Sequence, residues 1–244
     1  MHIDKRRMLL NPGDKQTTLA FCAHQFIEIC NAALEKKGFC TVALSGGSTP
    51  QALFALLSSP PYNTQTDWGN IHLFWSDERA VPPESPESNY GAAMRSGLST
   101  LPIPKEHIHR MIAEHDIEKN ALVYEKTIHK ILRGHPFDLI TLGLGEDGHI
   151  ASLFPNTPAL AIEDRDIVAQ FVPQKNTWRM TMTYSCLHNT HHLIIYVLGD
   201  SKASILHQVL FEPSNYPATR LGSHTCPATW IADDAAAKNR PLDH

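Results

Sequence analysis

Apolar residues change their spacing several times along the chain, and each change marks an element. Leu19, Cys22, Ala23, Phe26, Ile27, Cys30, Ala33 and Leu34 recur at helical intervals, which predicts a helix closed by Gly38. The β-rich run from Phe39 to Ser45 ends at Gly46-Gly47, after which Ser48 or Thr49 can cap a second helix and Pro50 fits its first turn. Ile71 to Trp75 is the next strand, and the polar stretch SDERAVPPESPESNYGAA follows as a long loop into a short helix. Asp116 to Arg133 carries Leu122, Ile128, Ile131 and Leu132 in an amphipathic helix, and the apolar run from Phe137 to Leu142 follows it as a strand. Later strands are expected at Ile167 to Val172, Arg179 to Thr183, Leu193 to Leu198 and Thr229 to Ala232. Helices are expected from Lys202 to about Leu210 and from Asp233 to Lys238. Alternation of helices with wholly apolar strands predicts a three-layer α/β/α fold around a mainly parallel sheet covered on both faces.

Composition narrows the reading without redirecting it. The 244 residues suit one α/β domain spanning 1–244, with roughly the first 13 at its periphery, because no linker-like segment or repeat divides them. The net charge of -4 and the lack of a long basic run argue against nucleic acid or an anionic membrane as partner. The five cysteines (Cys22, Cys30, Cys40, Cys186 and Cys226) are scattered and form no CxxC, so reduced and mostly buried thiols are expected. The basic cluster in MHIDKRR precedes only three apolar residues, Met8 to Leu10, and no run approaches membrane-spanning length; a cytoplasmic location is expected.

Two glycine-dense turns carry the candidate chemistry. In ALSGGSTPQAL a strand gives way to a helix whose free N–H groups and dipole can receive an anion, with Ser45, Ser48 and Thr49 adding donors. The bland alternative is a tight connection that binds nothing. The segment is not a Walker A loop, since the lysine and the spacing are absent. In FDLITLGLGEDGHIASLFP, Gly143 to Gly148 formally matches GxGxxG. A dinucleotide is nevertheless excluded. Asp147 would oppose a pyrophosphate, Pro155 and Pro158 interrupt the required helix, and Glu163 and Asp164 precede the next strand where a ribose ligand should end one. Asp147 and His149, two residues apart at the carboxyl end of a buried strand, instead suit proton transfer, the carboxylate orienting the imidazole.

The cations Arg79, Arg179 and Lys202 are each, taken singly, ordinary surface charges, and Lys202 is the best placed because Gly199 puts it at a strand-to-helix junction; Arg220 is a weaker candidate. His107, His109, His188, His191 and His192 come with no HExxH or Cys/His spacing, so surface or packing roles are expected and no metal site.

Together ALSGGSTP, FWSDERAVPPESPESNYGAA, FDLITLGLGEDGHIASLFP, RMTMT, the segment ending at Lys202 and ATWIADDAAA closely resemble the 6-phosphogluconolactonase family over residues 41 to 238. The resemblance implies a Rossmann-like fold shared with glucosamine-6-phosphate deaminase. It implies hydrolysis of 6-phospho-D-glucono-1,5-lactone to 6-phospho-D-gluconate in the oxidative pentose phosphate pathway, without metal or organic cofactor. It further implies His149 as the base that activates water, Asp147 as its assistant, and Gly46, Gly47, Ser48 and Thr49 as the substrate cradle. Arg79, Arg179 and Lys202 would meet the phosphate or carboxylate-like oxygens. A serine nucleophile is disfavoured, as no GxSxG surrounds Ser45 or Ser48.

Two competing functions are weighed. A deaminase of this fold carries a glutamate in the turn after the histidine; here Phe154 leads directly into Pro155, and although the deaminase's aspartate-glutamate pair is present as Asp77 and Glu78, Arg79 follows it as in the lactonases. A sugar-phosphate sensor would carry an appended DNA-binding segment, for which no room is seen before the first helix, and it would have no use for His149.

Overall fold

A computed structural model describes residues 4–241. In chain order its principal elements begin with β1 (Arg7–Leu10), α1 (Lys15–Lys37), β2 (Cys40–Leu44), α2 (Ser48–Leu57), β3 (Ile71–Trp75), β4 (Asp77–Arg79), α3 (Asn89–Arg95) and α4 (Ile117–Leu132). They continue with β5 (Phe137–Gly143), β6 (Ile167–Val172), β7 (Thr177–Met182), α5 (Tyr184–His188), β8 (Thr190–Val197), α6 (Ala203–Phe211), β9 (Ala228–Ala232) and α7 (Asp234–Ala237). Six strands form an all-parallel sheet in the order β1-β9-β8-β5-β2-β3. Every residue of β2 is buried, as is all of β5 before Gly143, so both faces of the sheet centre are covered.

Local chemistry explains the element ends. Asp14 caps α1 by accepting from Thr17 N–H at 2.8 Å, and Gly38, at φ 80°, closes it as expected. The helix expected over 116–133 is shorter by one residue at each end, because Asp116 and Arg133 both adopt left-handed backbone outside it. At the amino ends of β2 and β5, Asp138 accepts from Thr41 N–H at 2.8 Å and Thr41 Oγ1 at 2.9 Å, and pairs with Lys37 at 2.9 Å. This buried carboxylate ties the two central strands and the end of α1 together.

Three features depart from the expected fold. Residues 7–10, expected at the periphery, form the edge strand β1 beside β9; Met1 to Ile3 of that segment lie outside the described residues. The strands expected near 167–172 and 179–183 do not join the parallel sheet. They are β6 and β7, an antiparallel pair in a second sheet ordered β4-β7-β6. Pro173 to Asn176 is too short for a parallel crossover, which takes a dozen residues or more. Finally, Asp77 to Arg79, read as loop because the triplet is wholly polar, is the strand β4 on β7.

Four of the five cysteines are buried, and Cys226 is partly so. Among the described residues no helix is long and apolar enough to cross a membrane. Histidines 107 and 109 pack as expected, against His72 on the edge strand β3. His72 Nδ1 and His109 Nε2 share a hydrogen bond at 3.1 Å, and the His107 ring lies 3.9 Å from that of His72. Burial, together with the neighbouring imidazoles, brings His72 and His109 from an ordinary 6.5 down to about 4. The unfolded chain therefore takes up protons first as the pH falls. Their contribution is flat above pH 6.5 and lowers stability progressively between 6.5 and 4. Urea midpoints at pH 7.5 and 5 should converge in the double variant His72→Asn/His109→Asn relative to the wild type; an undiminished pH difference would contradict this assignment.

Candidate active site

From β2 the chain runs outward to β3, whereas from β5 it runs to β8 and β9 on the other side. Loops leaving two such neighbouring strands diverge, and a crevice opens at their carboxyl ends. Here the crevice is a cleft of about 210 Å³. Its walls include Gly46, Gly47, Ser48, Thr49, Arg79, Arg179, Lys202 and His149, so eight of the nine expected site residues converge on one space. Asp147, the ninth, touches it through His149.

The β2–α2 turn differs from expectation in one instructive way. Neither hydroxyl caps the helix: Ser48 is its first residue, and Gly47, at φ 109°, is the cap residue and has no side chain to offer. Gln51 N–H makes the first bond, to Gly47 O at 3.1 Å. The earlier N–H groups have no intrahelical partner, as at any helix start, and a cap side chain does not take them here. The anion-binding capacity is therefore greater than a hydroxyl-capped helix would leave. Gly46 is required for a separate reason, since a Cβ there would overlap the Asn89 amide.

That amide belongs to a buried network absent from the expected site. Asn89 Nδ2 donates to Asp77 O at 2.9 Å and to Asp77 Oδ1 at 3.1 Å, while Ser152 Oγ donates to Asp77 Oδ2 at 2.6 Å. Asp77 is 4% exposed and lines the cleft with Asn89. Glu78 beside it accepts from the N–H groups of Arg79, Asn89 and Tyr90 at 2.8, 2.8 and 2.9 Å and from Ser88 Oγ at 3.0 Å, folding the intervening loop back on itself. Burial raises the Glu78 pKa despite these donors. Polar residues within a polar loop give no sequence sign of such a role; only the DER strand, once paired, directs Asp77 inward.

The turn after β5 positions His149. Gly148, at φ 75°, bends the chain, and Gly145 N–H donates to His149 O at 2.9 Å. A Cβ on Gly145 would strike the His149 ring. His149 Nδ1 bonds to Asp147 Oδ1, which also accepts from His149 N–H at 3.2 Å. Burial alone would raise the Asp147 pKa, but the bonds from His149 and its attraction leave the carboxyl below its ordinary range. An ionised carboxylate only accepts, so the proton of a neutral imidazole sits on Nδ1 and the Nε2 lone pair is free to take another.

The cations face one another. Arg79 on β4 and Arg179 on β7 are direct antiparallel partners, and the Nε atoms of both are buried without a bond among the described residues. Like charges set opposite each other on a sheet repel. Burial lowers the Arg179 pKa, Asp77 counters that, and Arg79 reinforces it. Lys202 ends a short turn, Asp200–Lys202, whose start is held by Asp233. Both Asp233 oxygens accept from Gly199 N–H, at 3.0 and 3.1 Å, and Oδ1 also caps α7 through Ala236 N–H at 2.8 Å. Arg220 is elsewhere, over the Tyr184 ring at 4.0 Å and bonded to Leu160 O at 2.7 Å.

Such a cleft can grip a small molecule by a negatively charged group and move a proton at another of its atoms, which is the working requirement of a sugar-phosphate enzyme. The family model of the glucosamine-6-phosphate isomerases/6-phosphogluconolactonase matches residues 13–230, and the chain belongs to that family. A 6-phosphogluconolactonase of Chlamydia pneumoniae is 40% identical over 234 residues, covering 93% of this chain and 88% of that protein. The solved 6-phosphogluconolactonase from Trypanosoma cruzi superposes with a TM-score of 0.85 at 27% identity, covering 99% of each chain. A monomeric glucosamine-6-phosphate deaminase superposes with a TM-score of 0.80 at 18% identity, covering 95% of this chain and 99% of the other, which speaks for the fold alone.

Gly46→Ala should force Asn89 away from Asp77. Overpacking of this kind costs about 1–3 kcal/mol of stability. Urea denaturation should register that loss, and an unaltered midpoint would show that the cleft wall yields freely.

Proposed function

We propose that the chain hydrolyses 6-phospho-D-glucono-1,5-lactone to 6-phospho-D-gluconate, the lactone-opening step of the oxidative pentose phosphate pathway. The carrying observation is the opposed Arg79–Arg179 pair within the same cleft as the Asp147-backed His149. Asp77 can balance at most one of the two guanidiniums, and among the described residues neither is joined to a carboxylate, so the pair suits a doubly charged group, and phosphate is that group. The curated relatives named 6-phosphogluconolactonase support the same substrate.

In this reading Gly46, Gly47, Ser48 and Thr49 cradle the substrate at the start of α2, and Arg79, Arg179 and Lys202 meet its anionic oxygens. Water attacks C1 of the lactone while its proton passes to His149 Nε2, and Asp147 balances the imidazolium that forms. The negative charge gathered on the C1 oxygen is received by donors of the cleft. Collapse then breaks the bond from C1 to the ring oxygen, which takes the proton from His149 and leaves as the C5 hydroxyl. The new carboxylic acid ionises, releasing one proton. A lactone is already an activated ester, so the sequence of steps calls for no serine nucleophile, metal or organic cofactor. The phosphate serves as a handle whose binding energy orients the ring. Ring opening of an amino sugar would need a further acid beside His149, where Phe154 and Pro155 stand. The mostly buried thiols suit a reducing, cytoplasmic location.

Purified protein should consume freshly generated lactone faster than it opens spontaneously. His149→Ala should lower kcat by about 10²–10⁴-fold, and a variant as active as the wild type would sink the mechanism. Lys202→Ala should act mainly on KM, raising it by roughly tenfold, the equivalent of about 1.4 kcal/mol. A loss confined to kcat would contradict the handle role.

A further inference from the structure

Phe154 touches two groups of the cleft and is itself 1% exposed. Its ring stacks on the His149 imidazole with centroids 4.0 Å apart and planes 18° from parallel. Arg179 Cζ lies 5.8 Å from the same ring centroid. Filling space would need only an apolar side chain, as Leu153 beside it provides. The planes are near parallel, so the π-face of Phe154, and not its edge, meets the imidazole. A cation over a ring face is drawn inward by the negative π-cloud.

The surrounding charges show why such a face matters. Arg79, Arg179 and Lys202 share the cleft with His149, and all three disfavour a further positive charge there. Asp147 opposes them at the Nδ1 edge of the imidazole, and Asp77 does so from β4. Asp147 meets the ring at its edge, whereas Phe154 covers a broad face.

We propose that Phe154 is a positioning residue that holds the His149 ring against its π-face and favours the imidazolium formed when His149 takes a proton from water. The inference rests on the lactonase reading for its kinetic consequence. No bond to Phe154 forms or breaks; the proton moves from water to Nε2 and on to the ring oxygen, as above.

The test compares Phe154→Leu, which keeps bulk and loses the π-face, with Phe154→Tyr, which retains it. In the leucine variant kcat should fall by roughly threefold to tenfold, the span expected for loss of a cation–π contact, with KM changed less than about twofold. The acidic limb of its kcat profile should move to lower pH, because the protonated ring is less favoured. The tyrosine variant should restore both. Where the leucine variant fails to fold, Phe154→Met, of similar volume, carries the same comparison. A leucine variant with wild-type kcat and an unmoved acidic limb overturns the inference, as does a loss that tyrosine fails to restore. An NMR titration of the His149 ring separates the two readings. If the wild type does not open the lactone, the functional proposal falls, yet a lower titration midpoint in the leucine variant still supports the role of Phe154. An unmoved midpoint overturns that role whatever the enzyme hydrolyses.

Discussion

Val42 lies opposite Leu139 and Ala43 opposite Ile140, and this parallel register brings the end of β2 level with the turn after β5. A one-residue slip would turn every side chain of one strand to the other face, and with both faces buried no slip is tolerated. Asp138 fixes the register from below by engaging Thr41 and Lys37. The lateral spacing of the two active loops is therefore set by strand pairing and not by the loops themselves. Short loops then suffice to face each other across the cleft, one presenting free N–H groups and the other the paired Asp147 and His149.

The opposite wall comes from a different kind of structure. The small antiparallel sheet joins the large one through a polar seam, in which Ser152, from the turn after β5, bonds Asp77 of β4, and Ser152 N–H also donates to Thr181 Oγ1 of β7 at 3.1 Å. Buried polar groups with several partners resist displacement more than apolar contacts of equal area, because breaking one leaves another unsatisfied. The seam holds the arginines in mutual opposition and so maintains a local positive field that a flexible loop would relax. The net acidity of the chain matters little inside such a recess.

Sequence patterns expose these parts unevenly. The central strands were legible because burial on both faces demands continuous apolar runs, and the two active turns because glycines sit where strands end. β4 was not legible, since DER acquires strand geometry only from β7, far along the chain. Asn89 was invisible for a related reason: its value lies in filling the space beside Gly46, and no local pattern records that contact. The uncapped start of α2 inverts a local rule, since two hydroxyl residues stood ready to cap and the backbone placed them one and two positions too late. Departures from local preference gather at the cleft, as expected where a fold gives up local stability for a binding surface.

Asp233 gives one wall of the cleft a remote anchor. By gripping Gly199 while it caps α7, it ties the turn that ends in Lys202 to the last strand and last helix described. The position of a charge in the cleft thus depends on how the far edge of the sheet packs, and a disturbance at β9 or α7 has a direct route to Lys202.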